Sequence, residues 1–287
     1  MSNVNFSHKF DEYIKAMPSL PTSVSKVFEI CNNMNASPSD LNHVISLDPV
    51  LTGRVLKLIN SAYYGLGPHV TSLARAIIML GINTVKNLTL STAILGTLPA
   101  NKDHKGLNME GFWRHSLCVG VTAKILAKKQ GIDSKLIEEY FTAGLLHDIG
   151  KISLNAVMSG DYLLTVSVAD REHKSLITGE NSSLGIDHCA AGAMIVNAWK
   201  LEGPVADTIM HHHNTAAYTG DYADILDNIA IANYFTVLNE IGFAGDRNPV
   251  KPVAKIWEDS GIKENAFEEI IKIVDEEIEK AKIFLHI

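Results

Sequence analysis

The residues best suited to chemistry lie in Leu145–Lys151, which reads LLHDIGK. His147 and Asp148 follow an apolar run that reads as a helix, and helical neighbours point about 100° apart, so both side chains can enter one pocket from different directions. That suits a centre in which an imidazole binds one metal ion while a carboxylate binds one or bridges two. Lys151, one helical turn past His147, can meet a phosphate oxygen. The pair gains weight from its company: His115 stands 32 residues earlier in an apolar helix, His188 stands 41 residues later, and His212-His213 follow 24 residues beyond that. An apolar helix has little reason to bury a histidine unless something satisfies its ring. Imidazole and carboxylate donors together suit iron or manganese, with zinc a further candidate, as one ion or two. Two such ions can generate a hydroxide and clamp a phosphate in hydrolysis.

Each residue also has a purely structural reading. His115 can be a core histidine bonded to a carbonyl, and His147 and Asp148 can pair with each other where a helix ends. Asp187-His188 opens a helix, so either is a cap candidate. Lys151 can be a helix-end cation, and at most two of His211, His212 and His213 can face one pocket.

The elements that must position these residues read as helices throughout. Apolar residues recur at helical spacing in Val24, Val27, Phe28, Ile30 and Cys31 and again from Val50 to Ile59, with no sustained strand-like alternation. Pro21, Ser37-Pro38-Ser39-Asp40 and Asp48-Pro49 are start signals. Helices are expected from about Ser72 to Leu80, then past a break at Gly81 to about Leu95. Others should run from Met109 to Gln130, Ser134 to Leu146, Gly185 to Lys200, Val205 to His211, Ile225 to Ile241 and Glu264 to Phe284. The stretch TLPANKDHKGLN, Thr97 to Asn108, reads as a linker or surface loop. It divides an N-terminal lobe, 1–100, from a C-terminal lobe, 109–287, that carries the histidines.

In both lobes the chain resembles the HDOD family, output-type relatives of the HD phosphohydrolases. In the first, Leu20-Pro21, DPVLTGRVLKLINSAYYG (Asp48 to Gly65) and SLARAIIMLG (Ser72 to Gly81) carry the resemblance. In the second it rests on FWRHS (Phe112 to Ser116), GLLHDIGK, His188 and the HHH run, so that it spans roughly Met17 to Ile241. The resemblance implies an all-α, two-lobed helical bundle with an HD-like C-terminal lobe, and a role in bacterial signal transduction. It implies His115, His147, Asp148, His188, His212 and His213 as metal ligands, with His211 left on the surface. Asp148 would be the bridging carboxylate and Lys151 a phosphate contact. The sequence departs from the family pattern at Asn233 in IAIANYF, where an aspartate is expected. NTAAYTGDY, after the histidines, lacks the glycine-tyrosine-proline signature of cyclic-di-GMP hydrolases. A regulatory protein acting through signalling partners or a small phosphorylated ligand is therefore expected. If the protein is an enzyme, the retained ligands imply a metal-dependent phosphohydrolase.

Composition bounds the remaining choices. The 287 residues suffice for a large core, and 46% are hydrophobic with mean hydropathy +0.09, yet no apolar run reaches the roughly 18 residues a membrane span needs. A net charge of -7, with lysines and arginines dispersed, argues against a nucleic-acid partner. Met1 to Asp11 has no signal-peptide pattern, and Cys31, Cys118 and Cys189 are odd in number and far apart, which points to a reducing, cytoplasmic setting.

Overall fold

The computed structural model describes residues 2–31, 37–67, 69–98, 106–263 and 265–286. Within them the chain is helical, without a strand. Up to residue 98 the chain forms α1 (Ser2–Ala16), α2 (Thr22–Cys31), α3 (Pro38–Ser46), α4 (Pro49–Ile59), α5 (Leu73–Leu80) and α6 (Ile82–Thr97). From residue 106 it continues with α7 (Met109–Lys129), α8 (Ile137–Leu146), α9 (Ile149–Val157), α10 (Ser159–Arg171) and α11 (Leu176–Ser183). It ends with α12 (His188–Trp199), α13 (Pro204–His211), α14 (Ala223–Leu238), α15 (Ala254–Ser260) and α16 (Asn265–Ala281).

Local chemistry accounts for the helix starts. Ser37 and Asp40 form a reciprocal capping box on α3, and the Asp48 carboxylate caps α4 by accepting from Leu51 N at 2.9 Å. Prolines occupy the first turn of α3, α4 and α13, where their missing N–H costs nothing. Between α5 and α6 the chain turns by 118° at Gly81, whose φ of 86° a side chain would resist. The helix expected from Ser134 begins at Ile137, and the one expected from Gly185 begins at His188 because Asp187 caps it, accepting from Ala190 N at 2.8 Å. The helix expected to reach Phe284 gives way to a 3-10 turn at Lys282–His286, and Glu264, its expected start, lies outside the described residues. So do Pro68 and residues 99–105 of the expected linker, although Gly106 and Leu107 at its far end are buried.

One continuous apolar core runs through the molecule. The long helix α7 packs on α8, α14 and α16, and α12 packs on α9 and α13. Among the described residues the stretches up to residue 98 and from residue 106 pack together where α6 lies on α8, α1 on α9 and α12, and the final 3-10 turn on α6. Lys86 pairs with Glu139 across the α6–α8 contact at 3.1 Å, and the tyrosines after α4 add further polar contacts. Lys124 Nζ donates to Tyr63 Oη at 2.9 Å, Tyr64 donates to Glu138 Oε2 at 3.0 Å, and Lys124 pairs with Glu138. Phe141 and Phe284 close on the Tyr63 ring, and full burial of each contributes about 1.5–3 kcal/mol. No single described helix is long and apolar enough to cross a membrane.

Candidate metal centre

Four stretches of chain deliver the cluster. His115 comes from the middle of α7, His147 and Asp148 from the junction of α8 and α9, His188 from the first residue of α12, and His212 from just past α13. Two close helix approaches make this possible, and both use glycines of the GLLHDIGK motif. A Cβ on Gly144 would lie 2.7 Å from the Cα of Gly120, so α7 and α8 touch backbone to backbone and His115 meets His147. A Cβ on Gly150 would lie 1.9 Å from the carbonyl oxygen of His188, so α9 rests on the start of α12 and Asp148 meets His188.

The result is a carboxylate ringed by imidazoles. Oδ2 of Asp148 lies 3.2 Å from His147 Nε2 and 3.6 Å from His115 Nε2, while Oδ1 lies 3.4 Å from His188 Nε2 and 3.5 Å from His212 Nε2. Lys151 Nζ donates to Oδ2 at 2.7 Å. These six side chains are buried, none more than 3% exposed. The ring nitrogens are aimed inward by their opposite edges. His147 Nδ1 is 2.7 Å from the carbonyl of Gly144, His212 Nδ1 is 2.9 Å from that of Thr208, and His188 Nδ1 is 2.6 Å from Glu180 Oε2.

The donor set fits a divalent cation. His115 Nε2, His147 Nε2 and Asp148 Oδ1 are buried with no hydrogen-bond partner, and a buried donor or acceptor left unmade costs about 1–3 kcal/mol. His115, His147 and Asp148 form one group of donor atoms within 4.8 Å of one another, and His188, Cys189 and His212 form another. Burial pushes His115 down to about 3, so its ring is neutral at ordinary pH. Burial also opposes the proton on His188, but the Glu180 carboxylate outweighs it and raises that pKa well above the ordinary value. Burial would raise Asp148, and the charges of His147 and Lys151 hold it well below the usual carboxylate range instead. Lys151 is raised for the complementary reason: Asp148 overcomes the burial that would strip its proton.

The remaining expected residues sit at the edge. The His213 ring packs on those of His188 and His212, with centroids 4.9 Å and 4.4 Å away. Asn233, from α14, lines a recess of about 90 Å³ with His212 and His213, and its Oδ1 is buried without a partner. A second recess, of about 190 Å³, is lined by His115, Gly242 and Arg247. Neither recess is lined by Asp148 or His147. Glu180, which orients His188 and also accepts from Tyr162 at 2.7 Å, had no sequence signal beyond being an acid eight residues before a candidate ligand.

Comparison with known proteins places the chain in a family. The HDOD domain family model matches residues 17–215, a span that holds His115, His147, Asp148, His188, His212 and His213 and stops short of Asn233. The crystal structure of an HDOD domain protein of unknown function from Geobacter sulfurreducens superposes with a TM-score of 0.75 at 25% identity, covering 98% of this chain and 97% of that one. A Shewanella amazonensis protein provisionally named a phosphohydrolase superposes with a TM-score of 0.70 at 24% identity, over 96% and 98% of the two chains, a likeness of fold. An uncharacterized protein of Treponema pallidum is 28% identical over 221 residues, which cover 77% of this chain and 42% of the relative's length.

Proposed function

The chain belongs to the HDOD domain family, and on that premise we propose that it is a bacterial signal-transduction module whose HD-type metal centre is a closed regulatory site. One observation carries this reading: the Lys151 ammonium, the group expected to meet a phosphate, is buried and bonded to Asp148 Oδ2 at 2.7 Å. Catalytic zinc sites keep an open coordination position, whereas structural ones are closed. Here His115, His147, Asp148, His188 and His212 surround the site from every contributing helix, with His213 beside them. Iron, manganese or zinc suits the donors, as one ion or two. Binding orders the four contributing stretches together, and the output passes to a signalling partner or responds to a small phosphorylated ligand in a reducing, cytoplasmic setting.

A second reading is a metal-dependent phosphohydrolase. It is favoured by the way Asp148 offers one oxygen to His115 and His147 and the other to His188 and His212, as a carboxylate bridging two ions would. Ions held by these residues would supply a hydroxide at neutral pH and polarise a phosphoryl oxygen. Two features argue against turnover: Asn233 stands where the family resemblance leads one to expect an acid, and Lys151 turns toward Asp148.

The test is elemental analysis of purified wild type beside the double variant His147→Ala, Asp148→Ala, with a phosphodiester and nucleotide screen of the metal-loaded proteins. One to two equivalents of ion in wild type, none in the variant and no turnover in either is the expected result. Turnover lost in the variant would establish the hydrolase instead. Absence of metal after reconstitution would overturn both readings.

A further inference from the structure

The two halves of the centre differ in their donors. His115, His147 and Asp148 offer nitrogen and oxygen. The other half, His188 and His212, has Cys189 beside it, with one donor atom from each of the three residues within 4.8 Å of the others. The cysteine is buried, and its Sγ lies 3.7 Å from His212 Nδ1. His188 Nε2 and His212 Nε2 lie 3.4 Å apart, and Asp148 Oδ1, buried and unpartnered, points at both from 3.4 and 3.5 Å. One donor atom each of Cys189, His188 and His212 thus lies within 4.8 Å of the others, and Asp148 Oδ1 faces the Nε2 atoms of both histidines.

We propose that Cys189 is a thiolate ligand of the His188–His212 half of the centre, making it a nitrogen–sulfur site that selects zinc over manganese. The inference rests on the metal-centre reading and adds a ligand to it. Thiolate is a soft donor that suits zinc, while carboxylate and imidazole alone also accept manganese. On ligation the thiol releases its proton to solvent and no redox step is involved. The competing role for Cys189 is that of a small apolar core residue, with no part in binding.

Cobalt(II) separates these roles because a thiolate bound to it gives a charge-transfer absorption that imidazole and carboxylate do not. Metal-free wild type titrated with cobalt should show that band together with the visible ligand-field bands. Cys189→Ser and Cys189→Ala should lose the charge-transfer band and keep the ligand-field bands. Zinc affinity, measured by chelator competition, should fall roughly 10–100-fold in Cys189→Ala, at least the loss typical of a partner outside the ligand set, while manganese affinity stays unchanged. Ligand-field bands without charge transfer in wild type would overturn the Cys189 assignment and leave the centre standing. Absence of all cobalt bands would overturn the centre and the assignment together.

Discussion

Glu180 and His188 form a buried pair in which one carboxylate oxygen, Oε2, accepts from the His188 backbone N–H at 3.0 Å and lies 2.6 Å from its Nδ1. The other oxygen accepts from Tyr162 at 2.7 Å. The imidazole is thereby locked with Nε2 toward Asp148, as the carbonyls of Gly144 and Thr208 lock His147 and His212. Such outer partners fix the tautomer and orientation of metal-binding histidines.

Glu180→Gln keeps the size of the side chain and removes its charge. Metal affinity, read by competition with a chromophoric chelator, should fall about 10–100-fold with the circular dichroism spectrum unchanged. Unaltered affinity would remove Glu180 from the positioning of the centre.

Asp148 and Lys151 make a second coupled pair. Asp148→Ala leaves a buried ammonium without its partner and should cost about 3–5 kcal/mol in denaturant unfolding of the metal-free protein. Asp148→Ala combined with Lys151→Met removes both charges and should recover most of that loss. Equal instability of the single and double variants would show that the cost lies elsewhere.

Much of this arrangement is legible in the residues before any coordinates. Apolar residues at helical spacing mark α2 to α8 and α12 to α14, and side-chain caps add a boundary signal at α3, α4, α5, α7 and α12. The helices α9, α10 and α11 escape that logic: α9 follows Asp148 with no side-chain cap, and α11, LITGENSS, is short and mostly polar. Its one buried acid, Glu180, became significant only once folding brought it to His188. The histidines announce themselves by type and spacing. The direction of Lys151 does not, since a lysine one turn past His147 can face a ligand or fold back on Asp148, and only packing decides.

Gly150 tests whether close approach of α9 and α12 builds the site. The carbonyl of His188 is backbone and cannot swing aside, so Gly150→Ala should destabilise the protein by about 1–3 kcal/mol and lower its metal content. Gly160→Ala, where an added Cβ meets nothing within 4 Å, is the control and should be neutral or slightly stabilising. If the two variants melt alike, the approach at Gly150 is not a constraint.

Acid should weaken metal binding at one half more than at the other. His115 and His147, whose pKa values burial lowers, are already neutral donors near neutrality. Burial also opposes a proton on His212, but the neighbouring Cys189 and Asp148 raise it to about 9, and His188 is raised by Glu180, so an incoming ion must displace protons there. Affinity of that half should rise with pH up to about 9, by roughly tenfold per unit for each proton displaced. Calorimetry in buffers of different ionisation enthalpy would register the released protons; binding with no proton release would refute the assignment.

Asn233→Asp introduces an acid at the recess beside His212 and His213, where Asn233 Oδ1 is buried without a partner. In the metal-free protein the new carboxylate is desolvated and the melting temperature should fall. With metal bound, the added negative charge compensates the cation and the ion should be lost to chelator about tenfold more slowly, equivalent to about 1.4 kcal/mol. The gap in melting temperature between metal-loaded and metal-free protein should therefore widen relative to wild type. An unchanged gap would place Asn233 outside the centre and make its amide a packing feature of α14.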